Sequence, residues 1–168
     1  MSLVIGFGLG YLVFGRGKSD VPPAPNKDVE VAALEALEVY EPKHELDERG
    51  RVVKLKLDGA HVDDVALDEA AKFATLKDLS LAGASVTDFG LAKLKVLKRL
   101  EALGLTDTRI SDEGMKTLAT MPSLRWVWVT ENSRLTSVGI EKLKRELPGI
   151  NVYVMNRPKP KVTTTTGK

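Results

Sequence analysis

Apolar residues recur through the middle of this chain at a constant interval. Leu55, Leu79, Leu103 and Val127 stand 24 residues apart; Leu57, Leu81, Leu105 and Val129 keep the same step, as do Val52, Leu76, Leu100 and Leu124. A fixed interval of this size predicts a stacked array of like units, each burying its apolar side against its neighbours. Within a unit the pattern changes period. Leu79-Ser80-Leu81 alternates, which predicts a strand with Leu79 and Leu81 inward and Asp78, Ser80 and Ala82 outward. Val86 then returns to the core, Thr87 caps a helix, and Leu91, Leu94 and Leu97 follow at helical spacing. The next units repeat the scheme with Ile110, Ser111 as cap, Met115, Leu118 and Met121, then with Leu135, Thr136 as cap, Ile140, Leu143 and Leu147. The first unit is the weakest, with Val62, Asp63 as cap, Leu67, Ala70 and Phe73. One residue is inserted in the fourth loop and a second in the last helix, which stops at Pro148-Gly149. Residues 150–154 read as a final strand.

The flanks follow other patterns. Asp28 is suited to cap a helix from Val29 to Val39, striped by Val31, Leu34, Leu37 and Val39. Glu45 to Gly50 reads as a hairpin turn into a strand from Arg51 to Leu57. Together they have the composition of a helix-hairpin cap for the first end of the array, which otherwise exposes apolar surface. Residues 19–27 form a Pro-rich linker. Residues 157–168 (RPKPKVTTTTGK) hold too little apolar surface to order themselves and read as a disordered basic tail. The division is therefore 1–18, 19–27, 28–156 and 157–168.

Residues 1–18 begin with an uncharged apolar run, Leu3 to Phe14, followed by Arg16 and Lys18. As a helix the first fifteen residues reach about 22 Å, short of a bilayer core of about 30 Å. Because the positive charge follows the run, a short uncleaved membrane anchor, contacting lipid through residues 3–15, is preferred to a signal peptide or a buried helix. Arg16 and Lys18 favour a cytoplasmic repeat domain, with export as the alternative. Gly6 and Gly10 have the spacing that lets two such helices approach as a homodimer.

Composition narrows the function. The 168 residues are 43% hydrophobic but only 5% aromatic, so the core is mainly Leu and Val. The formal charge of +2 is too balanced to argue for nucleic acid. The chain has no cysteine, which removes disulfides and zinc–thiolate sites. It carries none of the phosphate-loop, dinucleotide, zinc-protease or serine-hydrolase motifs. His61 lies near Asp63 and Asp64, but Asp63 reads as a cap and Asp64 as a first-turn acid. The expectation is a non-enzyme with no cofactor and no metal. Basic residues gather on the helix surfaces (Lys93, Lys95, Lys98, Arg99, Lys116, Lys142, Lys144, Arg145), away from the aromatic residues, so no nucleic-acid partner is expected.

The stretch from Leu76 to Leu81, continued by Val86-Thr87-Asp88-Phe89-Gly90-Leu91, resembles a leucine-rich repeat, and Ile110-Ser111-Asp112-Glu113-Gly114-Met115 repeats it. The Thr/Ser-Asp-x-Gly helix start is similar to the ribonuclease-inhibitor-like and F-box-associated subclass, including short bacterial proteins. The asparagine usual in the loop is replaced by Ala60, Ala84 and Thr108, leaving Asn132. The resemblance implies an α/β solenoid of about four repeats, with helices on a convex face and parallel strands lining a concave face used for protein recognition. On that face the outward residues Lys54, Lys56, Asp78, Ser80, Thr106, Trp126, Trp128 and Tyr153 are the candidate contacts for another protein or peptide. Trp126 and Trp128 are the chain's two tryptophans, and large rigid rings dominate binding hot spots. The alternatives are that these rings cover the end of the array, that the domain is a self-assembling structural module, or that it is the substrate-recognition subunit of a larger complex such as a ubiquitin ligase.

Overall fold

The structure, a computed structural model, describes residues 26–154. The anchor expected at residues 3–15, the Gly6–Gly10 pairing, most of the linker and the basic tail lie outside the described residues. Among the described residues no helix is long and apolar enough to cross a membrane.

The chain opens with α1 (Lys27–Leu37) and a short 3-10 turn, then β1 (Lys43–Leu46) and β2 (Val52–Lys56). Thereafter helix and strand alternate: α2 (Ala66–Ala70), β3 (Asp78–Ser80), α3 (Asp88–Lys93), β4 (Ala102–Gly104), α4 (Asp112–Ala119), β5 (Trp126–Trp128), α5 (Ser137–Glu146) and β6 (Asn151–Tyr153). The six strands lie in one sheet in chain order. β1 pairs antiparallel with β2, and every later pairing is parallel.

The 24-residue interval becomes the strand register. Leu55, Leu79 and Leu103 are cross-strand partners in succession, followed by Val127 and Val152. A three-residue strand has no independent stability. Its central residue is buried against the next unit's, and that contact holds the strand in place. Leu57, Leu81 and Leu105 continue the buried layer, which the helices close with Leu67, Leu91, Met115 and Leu143. Phe73 is the largest fully buried side chain and fills the weakest unit.

At the first end, α1 buries Ala33 and Leu37 in the same core. Its start differs from the sequence expectation: Asn26, not Asp28, is the N-cap, accepting from the Asp28 amide at 3.1 Å. An Asp in the first turn still favours the helix through its dipole. The first unit differs too. α2 begins after Val65 with no side-chain cap, and Asp63 accepts instead from the Val65 amide at 2.9 Å, forming a local turn. In the later units Thr87, Ser111 and Thr136 are the caps, accepting from the amides of Phe89, Glu113 and Gly139.

Asp64 is not a first-turn acid. Its carboxylate accepts from the Thr87 amide at 2.8 Å and the Thr87 hydroxyl at 2.6 Å, one unit away. Asp88 does the same for Ser111, and Asp112 for Thr136. The Thr/Ser-Asp-x-Gly motif is thus a ladder. Each Thr or Ser caps its own helix while donating to the previous unit's carboxylate, and each Asp reaches forward to the next. The glycine follows from the same geometry. A Cβ at Gly90, Gly114 or Gly139 would stand 2.1, 2.5 or 2.2 Å from a carboxylate oxygen of Asp64, Asp88 or Asp112.

Candidate functional site

The strand face carries two rows of outward side chains. One row runs Glu45, Lys54, Asp78, Ala102, Trp126 and Asn151; the other runs Lys43, Lys56, Ser80, Gly104, Trp128 and Tyr153. The pleat sets both, because residues two apart along a strand share a face. The rows differ in character from end to end.

At the β1–β3 end the charges are paired with one another. Lys54 meets Glu45 at 2.9 Å, and Lys56 meets Asp58 at 2.9 Å. The Ser80 hydroxyl donates to Asp58 at 2.7 Å, and the Ala82 amide donates to the same oxygen at 3.1 Å. Burial acts to raise the Asp58 carboxyl, but Lys56, Ser80 and the Ala82 amide together hold it below its ordinary value. Asp78 is shifted the other way: burial pushes its carboxyl up, with Lys54 only partly opposing. An open cleft of about 310 Å³ lies here, between Lys43, Lys54, Lys56, Glu45 and Asp78.

At the β4–β6 end the face is aromatic. Trp126, Trp128 and Tyr153 remain 39%, 38% and 44% exposed, although most large apolar residues among the described ones are buried. The Trp128 and Tyr153 rings stack, with centroids 5.2 Å apart and planes 12° from parallel. Beside them, Ala102 and Gly104 on β4 leave a strip with little side-chain bulk. Thr106, the eighth residue singled out from the sequence, is half-buried beyond the end of β4, where its carbonyl accepts from the Gly83 amide. The structure therefore brings Trp126, Trp128 and Tyr153 together and sets Lys54, Lys56, Asp78 and Ser80 apart in a separate polar group.

A second cleft, of about 680 Å³, opens where the chain enters β3, β4 and β5. Lys77, Lys98, Arg99, Glu101, Arg125 and Trp126 line it. Lys98 and Arg99, which sequence reasoning set on the helix side away from the tryptophans, share this cleft with Trp126, because the turn before β4 brings them to the strand entrance. Sequence reasoning missed Lys77, Glu101 and Arg125 as a group. The available signal was their step of 24 residues, immediately before each strand.

His61, Asp63 and Asp64 are engaged with other groups, and both His61 and Asp63 meet Tyr40. The His61 ring stacks on Tyr40 with centroids 6.1 Å apart, Asp63 serves its local turn, and Asp64 serves the ladder. Among the described residues no group of three His, Cys, Asp or Glu side chains is placed to hold a metal ion.

Parallel strands on one face, helices on the other and apolar residues in register at 24-residue steps make this an α/β repeat solenoid, similar in fold to leucine-rich repeats. No family model and no curated protein matches the chain. Solved structures are distantly similar to it, among them the following two. The crystal structure of PEPR1–AtPEP1 is 16% identical with a TM-score of 0.40, over 66% of this chain and 19% of that one. An internalin from Listeria monocytogenes is 17% identical with a TM-score of 0.32, over 79% of this chain and 52% of that one. This chain therefore spans a fifth of the length of the first and about half of the second, and the functional reading rests on its own geometry.

Proposed function

We propose that this protein is a non-enzymatic recognition module that binds another protein or peptide on its strand face. The observation that carries the reading is the exposed cluster of Trp126, Trp128 and Tyr153 beside the small residues Ala102 and Gly104. Large rings left in water cost hydrophobic free energy that a partner recovers by covering them. The stacking of Trp128 on Tyr153 limits how far those two rings rearrange, so less ordering entropy is lost on binding. Lys54, Lys56, Asp78 and Ser80 contribute a polar flank that orients the partner, and Thr106 borders the strip. The apolar run at residues 3–15 supplies a membrane tether in this reading.

The test is quantitative affinity capture with the full chain and with a Trp126→Ser, Trp128→Ser double variant. Both positions are exposed, so the variant is expected to fold, as circular dichroism would verify. Partners retained by the parent and lost by the variant support the reading. An unchanged set of partners on a folded variant rejects it.

A further inference from the structure

We propose that the cleft at the entrance to β3, β4 and β5 binds an acidic segment of the partner, so that the recognised peptide carries an acidic run adjoining an apolar one. This rests on the strand-face reading above and names the chemistry of its ligand.

The argument begins with charge. Lys77, Lys98, Arg99 and Arg125 line the cleft, and Glu101 is the one carboxylate among its lining residues. Glu101 sits 3.9 Å from Lys77, a loose pair that leaves the other cations uncompensated within the cleft. Lys98 donates to the Lys95 carbonyl at 2.9 Å, and Arg125 to the carbonyls of Pro122 and Leu124 at 2.8 and 2.9 Å. Those bonds orient the two side chains without neutralising them. The backbone at the cleft's floor is already satisfied: the Lys77 carbonyl accepts from the Glu101 and Ala102 amides, and the Glu101 carbonyl from the Arg125 and Trp126 amides. Recognition there falls to the cationic side chains, for which a carboxylate is the complementary group.

Spacing sets the size of the segment. Lys77 and Arg125 precede β3 and β5, two strand spacings or about 10 Å apart, which is the length of about three residues of extended chain. Trp126 lines the same cleft and is also the first ring of the aromatic cluster. A peptide leaving the cations therefore passes directly onto Trp126, with the Ala102–Gly104 strip beside it. Two or three acidic residues adjoining one or two large apolar ones match this arrangement.

A polynucleotide is disfavoured by the same geometry. Its charge repeats at every phosphate, whereas beyond the cleft Lys54 is already paired with Glu45 and Lys56 with Asp58, so the cationic track does not continue along the strand face. One face of the Trp128 ring is already covered by Tyr153, which reduces the stacking surface open to bases.

The experiment uses the full chain and three fluorescein-labelled probes in low salt: a peptide of glutamates followed by a Leu-Trp pair, the same peptide with glutamines in place of the glutamates, and an oligothymidylate of similar length. Fluorescence anisotropy is expected to show the glutamate peptide binding at least tenfold tighter than the glutamine peptide, with the advantage shrinking as salt is added. A Lys98→Glu, Arg99→Glu variant, altered at two exposed turn positions, should remove that advantage without changing the melting temperature. Should that variant fail to fold, Lys98→Gln, Arg99→Gln gives the same comparison at reduced size. Equal binding of the two peptides, or an advantage that survives charge reversal, overturns the proposal. If, in addition, the glutamine peptide binds and is lost on Trp126→Ser, Trp128→Ser, the strand-face reading survives alone. Failure of both peptides to bind also overturns the proposal, as does tighter binding of the oligothymidylate that is lost on charge reversal.

Discussion

One methyl group is enough to crowd the contact between adjacent units. Gly114 lies so close to Asp88 and Ile110 that a Cβ would stand 2.5 Å from each, and neither neighbour is the free end of a long chain. Gly114→Ala is expected to destabilise the domain by about 1–3 kcal/mol, the range for forced overpacking, measured by chemical denaturation. Asp88→Ala should cost a similar amount, about 1–3 kcal/mol, because it leaves the Ser111 amide and hydroxyl without their acceptor. The two effects should not add, since removing the carboxylate also removes much of what the new methyl would strike. Glu30 offers a pH-dependent test. It is 4% exposed in α1, its Oε2 accepts from the Val52 amide at 3.4 Å, and its Oε1 has no partner. Burial, only partly opposed by the Val52 bond and Arg51, raises its pKa above 4.5. A carboxyl whose folded pKa is raised leaves stability intact at low pH and withdraws it as pH climbs from 4.5 through the higher folded value. Glu30→Gln should therefore match the parent at pH 4 and exceed it in stability at pH 7. Thermal melts at both values decide the point.

At the scale of elements, capping and packing were legible to different degrees. Thr87, Ser111 and Thr136 could be read as caps because each precedes an apolar stripe at helical spacing. Asp63 could not be read correctly, since the local pattern is the same while its carboxylate turns to the Val65 amide. The strand centres were legible because alternation and the 24-residue step agree. Leu103, at the middle of β4 and fully buried between Leu79 and Val127, should cost about 2–5 kcal/mol on replacement by alanine, through lost transfer energy and the cavity left behind. Exposed Lys95 should cost almost nothing on the same change. Denaturant midpoints of the two variants provide the comparison.

For the whole molecule, a stack in which each unit contacts only its neighbours has weaker ends than middle. β3 and β4 have parallel partners on both sides, whereas among the described residues β6 pairs only with β5. Amide hydrogen exchange is expected to be slowest at Leu79 and Leu103 and fastest along β6 and β1. Uniform protection across the sheet would mean that the domain opens only as one cooperative body.

The amino-acid order by itself determined the repeat, the alternation of strand and helix, and the face each strand residue occupies. Those properties depend on contacts within a unit or on a constant step between units, and both are periodic along the chain. Trp126, Trp128 and Tyr153 could be placed together on that ground. Tertiary structure alone decided that Asp64 accepts from Thr87, that Asp58 and Ser80 occupy one another, and that Lys98 and Arg99 reach the cleft beside Trp126. These contacts join residues more than 20 positions apart through loops and turns. Their partners depend on how closely two units stack and how a turn is oriented, distances that no hydrophobic period encodes.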